Sequence, residues 1–183
     1  MQLLWINLIT DSLPAIALGM EPVEKDVMNQ KPKPKTEGLF AHGLGVKIIL
    51  QGFMFGALSI VAYKIGEYVS GGNESIAQTM AFMVLALSQT IHAYNVRSDH
   101  SLFSIGFFTN KTLNLATIVS LGLMAIVLFT PVGIAFNVTN LFTTSYAYLY
   151  LIALGLVVVP LIVMEVYKLI VFIIRKSKEK KID

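Results

Sequence analysis

Not one of the 183 residues is a cysteine. That absence excludes disulfides, thiolate metal sites and cysteine nucleophiles together, and it leaves the redox compartment open. Charge is scarce too: Asp, Glu, Lys and Arg make up 14% of the chain, against roughly 25% in soluble domains. No nucleic-acid signature is present, and the net charge of +3 carries little meaning until the lysines are placed along the chain. The opening apolar run has neither a basic flank nor a small-residue cleavage site, so it does not read as a signal peptide. Its lack of a polar lead-in raises the expectation that Met1 lies inside a longer polypeptide.

What the chain has in abundance is apolar sequence, 55% of its residues, with a mean hydropathy of +0.70. A span needs about 20 such residues in a row. Five stretches qualify, at about 1–20, 44–69, 76–95, 112–131 and 146–174, so the expected fold is all-α, an integral membrane bundle of five transmembrane helices. Lysine and arginine set the orientation, because cytoplasmic loops carry the positive excess. The connections 21–43 and 96–111 and the tail 175–183 hold nearly all of it, whereas 70–75 and 132–145 hold no Lys or Arg. The former three are therefore read as cytoplasmic. The first of them carries Lys31-Pro-Lys-Pro-Lys35, a segment of extended character.

The most informative stretch is Asn7-Leu-Ile-Thr-Asp11-Ser-Leu-Pro14. On an α-helix Asn7, Thr10 and Asp11 share a stripe and offer an amide, a carboxylate and a hydroxyl, all oxygen-bearing. A carboxylate inside a membrane helix costs about 2.5 to 3.5 kcal/mol on insertion scales and usually serves an ion or proton path. Pro14 has no N–H to give to the carbonyl of Thr10, and broken helices with spare carbonyls are a recurrent way to build cation sites at mid-membrane depth. In a soluble protein the same residues would read as a capped helix start; the composition speaks against that context.

Other polar positions are read more plainly. Ser88, His92 and Asn95 fall on one face of the third span with Gln89 beside them, a pattern that fits interhelical hydrogen bonding as well as ligation. His92 is read as a packing or headgroup-level residue. Lys64 and Glu67, three apart, are read as an interfacial pair. Gly52 and Gly56 make a small-xxx-small motif that lets helices approach closely. Glu165 and Lys168 lie in the last span, which Pro160 is placed to kink.

The segment from Gln2 to Pro22, with Trp5-Ile-Asn7 and Thr10-Asp11-Ser-Leu-Pro14, closely resembles the sixth membrane helix of P-type cation-transporting ATPases, particularly the calcium pumps. The glycine-bearing span, the span ending Ala93-Tyr94-Asn95 and the stretch ending Glu165-Val-Tyr-Lys168 resemble the helices that follow in the family. The resemblance covers the whole chain and implies a fragment, helices six to ten, of a ten-helix pump. It implies that Asn7, Thr10 and Asp11 contribute to the site of a transported calcium ion. Gln89 matches a position in the eighth helix where two-site calcium pumps carry glutamate, so the resemblance also implies a single ion per cycle. Gly52 and Gly56 match the family's close contact between the seventh and fifth helices.

No Asp-Lys-Thr-Gly motif of the kind these enzymes phosphorylate occurs here. By the resemblance, ATP and magnesium are handled by cytoplasmic domains that, with the earlier helices, are the chain's expected partners in the same polypeptide. Membrane lipid is the other partner and a bacterial plasma membrane the expected location. The parent would be an enzyme, a translocase, while the fragment alone is not catalytic. Three alternatives stay open: a pump for sodium, manganese or protons; a stand-alone channel or secondary transporter; and an accessory membrane subunit.

Overall fold

The computed structural model describes the backbone of residues 1–23, 44–98 and 100–179 and, within these, every side chain except those of Ile9, Thr10 and residues 175–179. The lysine–proline run 31–35 and the end of the tail therefore lie outside the described residues. All the regular elements described are helical. They are α1 (Gln2–Trp5), a π turn (Ile6–Thr10), α2 (Ser12–Gly19), α3 (Leu44–Val69), α4 (Glu74–Val96), α5 (Leu102–Ile105), α6 (Lys111–Phe129) and α7 (Leu149–Glu179). Two 3-10 segments, Pro131–Phe136 and Leu141–Thr143, lie between α6 and α7.

Four of these helices, α3, α4, α6 and α7, are long and apolar enough to cross a membrane. The first apolar stretch is different. Its helix is broken in the middle, so neither α1 nor α2 has that length alone. The segment 96–111, read as a loop, contains the single-turn helix α5, whose Ser101 hydroxyl caps the backbone N–H of Phe103 at 3.3 Å. The last helix starts at Leu149, because Tyr146 to Tyr148 are occupied in turns that lead out of the 3-10 segment.

α4 is the centre of the bundle. It packs against α3 on one side and α7 on another, and its buried Met80, Met83, Val84 and Leu87 form one cluster with Met124 and Val127 of α6 and Ala153 and Val157 of α7. A second, smaller cluster joins Ala17 of α2, Ala93 of α4 and Leu113 and Ala116 of α6. Its small side chains let α2 lie close to both neighbours. α3 and α4 form a hairpin whose turn needs left-handed backbone at Gly71 (φ 66°) and Gly72 (φ 92°), and Asn73 Oδ1 then accepts from the backbone N–H of Ser75 and Ile76 to start α4. The closest approach of the hairpin is at Gly66, where an added Cβ would stand 2.9 Å from Ala77 Cα. Gly52 and Gly56 meet nothing within 4 Å among the described residues, so the tight crossing in this chain is made at Gly66 and not at the small-xxx-small pair.

Candidate functional site

The break in the first helix is a π turn: the backbone N–H of Asp11 donates to the carbonyl of Ile6, five residues back, at 2.9 Å. Such turns are rare and are often found at functional sites. Asp11 and Ser12 follow, the Ala15 N–H donates to Asp11 O at 3.0 Å, and α2 proceeds with Pro14 in its first turn, a place where a missing N–H is tolerated. Ser12 Oγ donates back to the carbonyl of Asn7 at 3.1 Å, which satisfies a carbonyl left over by the wide turn.

The π turn changes what the sequence pattern predicts. In an α-helix, residues four apart stack; in a ring closed over five residues they are rotated relative to that arrangement. Asn7 is exposed, whereas Asp11 is half-buried and faces a recess of about 280 Å³ between α2, α3 and α4. Gln89 of α4 lines the same recess. Asp11 and Gln89, 78 residues apart in the chain, thus line the same recess; Asn7 does not line it, and the side chain of Thr10 lies outside the described residues.

His92, one turn beyond Gln89, also lines the recess. Its ring sits edge-on to Phe55 of α3, with centroids 5.0 Å apart. Its Nδ1 is 3.4 Å from Asn95 Nδ2, and Asn95 Nδ2 in turn donates to the carbonyl of Pro160 in α7 at 3.5 Å. Two atoms at this place have no partner among the described residues: Gln89 Oε1 and His92 Nε2, both buried. Asp11 makes no ion pair among them either. An unpaired buried polar atom costs about 1–3 kcal/mol, so two such atoms beside a half-buried carboxylate in one recess need an explanation, and a ligand between them is the simplest. His92 was read from sequence as a packing residue; the i, i+3 spacing from Gln89 was the signal that placed it on the same face.

Chemically the recess offers a carboxylate and an amide oxygen, hard donors suited to hard cations, with an imidazole nitrogen beside them. Side-chain spacing alone does not say which cation. Sequence comparison is more specific. Residues 1–170 match the family model described as "Cation transporting ATPase, C-terminus".

The chain belongs to this family. Among its relatives, the calcium-transporting ATPase of Bacillus subtilis is 45% identical over 130 residues, which cover 71% of this chain and 15% of that protein. Calcium-transporting ATPase 1 of Bacillus cereus is 35% identical over 184 residues, 91% of this chain and 20% of the relative. Calcium-transporting ATPase type 2C member 1 of Pongo abelii is 30% identical, covering 98% of this chain and 19% of its own length. The chain therefore spans a fifth or less of the length of these relatives. As a cation-transporting ATPase C-terminal region with four apolar helices of spanning length, it is a multi-pass membrane segment.

Proposed function

We propose that the chain is the ion-binding membrane part of an ATP-driven P-type pump that exports calcium from the cytoplasm, one ion per cycle, with Asp11, Asn7, Thr10 and Gln89 among its ligands. The observation that carries this reading is the carboxylate of Asp11, set at a π turn in the same recess as Gln89, whose Oε1 is buried with no partner among the described residues. The names of the relatives, all calcium-transporting ATPases, support calcium as the cargo.

Calcium takes six to eight oxygen ligands. Asp11 and Gln89 supply two or three, and Asn7 and Thr10 two more if the site extends along the π turn, so ligands from other helices of the same polypeptide complete the shell. The neutral amide at Gln89 lowers the negative charge of the site relative to a carboxylate, which favours one divalent ion over two. ATP and magnesium belong to the cytoplasmic domains of the parent polypeptide. Phosphorylation of an aspartate there supplies the energy, and this chain supplies the ligands and their helical support. A bacterial plasma membrane fits the Bacillus relatives.

The test is ATP-dependent uptake of radioactive calcium by inside-out vesicles containing the whole polypeptide. Calcium uptake that Asp11→Asn abolishes is expected; uptake unchanged in that variant would overturn the site. Equilibrium binding that finds two calcium ions per polypeptide would overturn the stoichiometry, and stimulation by manganese or sodium in place of calcium would overturn the cargo.

A further inference from the structure

Ten residues after Asp11, Glu21 ends the first helical stretch, and both of its carboxylate oxygens are taken up. Oε1 accepts from Arg97 Nε at 3.0 Å and from Arg97 Nη2 at 2.7 Å. Oε2 accepts from Asn110 Nδ2 at 2.6 Å. Arg97 caps the end of α4 and its Nη1 donates to the carbonyl of Gly106 at 3.2 Å. Asn110 caps the start of α6, its Oδ1 accepting from the backbone N–H of Leu113 at 2.8 Å, while its Nδ2 also reaches the carbonyl of Ala17 in α2 at 3.2 Å. One carboxylate therefore ties together three helix ends. The Arg97 side chain is 1% exposed and that of Glu21 19%, so the pair is shielded from water and its geometry is held more firmly than that of a surface ion pair.

This cluster lies outside the recess, yet both recess groups hang from the helices it joins. Gln89 is eight residues before Arg97 on α4, about 12 Å along the axis, and Asp11 is carried by α2. Between the two clusters α2 and α4 touch through Ala17 and Ala93, small residues that fix distance but not sliding. A shift of α2 along α4 would change the spacing of Asp11 and Gln89. The Glu21–Arg97–Asn110 cluster opposes that shift.

We propose that Glu21, Arg97 and Asn110 are positioning residues that hold α2 against α4 and α6 and so set the spacing of Asp11 and Gln89 for the transported cation. The proposal rests on the reading of the recess as part of the transport site. Neutralising either charge leaves the ligands in place but lets α2 slide, which weakens cation binding more than it slows the cycle at saturation.

The experiment uses the whole pump polypeptide in membranes and reads ATP hydrolysis against cation concentration for the parent, Glu21→Gln, Arg97→Gln, Arg97→Lys and the exchange Glu21→Arg with Arg97→Glu. The cation is first identified with the parent, from calcium, manganese and sodium. The expected result is a rise of roughly 5- to 50-fold in the half-saturating concentration for the two neutral variants, with a maximal rate near that of the parent. Arg97→Lys, which keeps the charge but loses the two-pronged contact, falls between, and the exchange restores part of the loss. Half-saturation unchanged in both neutral variants overturns the proposal. So does a joint loss of maximal rate and thermal midpoint that Arg97→Lys does not relieve, because that is the mark of a merely structural pair. Should Arg97→Gln fail to reach the membrane, Arg97→Lys and Glu21→Gln decide the question by the same readout. A parent that responds to another cation overturns the calcium reading alone, and the positioning role is then judged with that cation; a parent that responds to none overturns both.

Discussion

α4 carries two polar clusters a little over two turns apart, and they are opposites. At Gln89 and His92 the buried atoms Oε1 and Nε2 have no partners among the described residues, and the neighbouring Asp11 has no counter-charge there. At Arg97 the guanidinium is shared between the Glu21 carboxylate and the carbonyl of Gly106, and both Glu21 oxygens are occupied. Each cluster contains a carboxylate and a side-chain amide, and the second adds an arginine. What separates them is satisfaction. A saturated cluster stabilises the arrangement it is in, whereas an unsaturated one is stabilised by whatever enters it.

The contrast is open to attack at both ends. The largest effect belongs to Asp11→Asn in the whole polypeptide: cation-stimulated ATP hydrolysis is lost, while the thermal midpoint without cation stays level or rises, because an unpaired charge becomes a neutral amide of the same shape. A fall in that midpoint would mean that Asp11 is structurally paired. Next comes Asn110→Asp, which removes the donor to Glu21 and sets a second carboxylate 2.6 Å from it. A destabilisation of about 1–3 kcal/mol is expected, read as a lowered melting temperature in detergent.

Smaller effects sharpen the comparison. Gln89→Met swaps a buried oxygen that lacks a partner among the described residues for a thioether of similar length; stability should move by less than about 1 kcal/mol while cation affinity falls. A large loss of stability with affinity intact would reverse the assignment. Smallest of all is Ser120→Ala on α6, where a buried hydroxyl also lacks a partner among the described residues but lies away from the recess residues. No stability loss beyond about 0.5 kcal/mol and no change in cation affinity are expected. Weakened affinity there would extend the site onto α6.

Much of this architecture could be read from residue order. The apolar run over 44–69 is the helix Leu44–Val69, and Lys64 and Glu67 form the ion pair their spacing implies, at 2.7 Å. Asp11 stood out because a carboxylate among leucines and isoleucines has few uses other than function. Glu165 and Lys168 were visible as a pair but not in their employment: the carboxylate accepts from Ser101 Oγ at 2.5 Å and from the backbone N–H of Leu102 at 3.0 Å, which fastens α5 to α7. No periodicity points to that, since the partners are more than sixty residues apart in the chain. The π turn was hidden for a related reason. Pro14 announces a disturbed helix, but whether the disturbance is a kink, a gap or an extra residue in the turn depends on how the segment settles against its neighbours.

The sequence by itself determined an all-helical membrane segment and singled out the carboxylate of Asp11 within an apolar stretch, because hydropathy, helix period and the cost of a buried charge are properties of residues in a short window. Only the tertiary structure decided that Asp11 shares a recess with Gln89 and His92 while Asn7 is not in its lining, and that Glu21, Arg97 and Asn110 close on one another. Those are distances between helices, and they are set by which small side chains let two backbones approach and by which polar atoms find partners when they do.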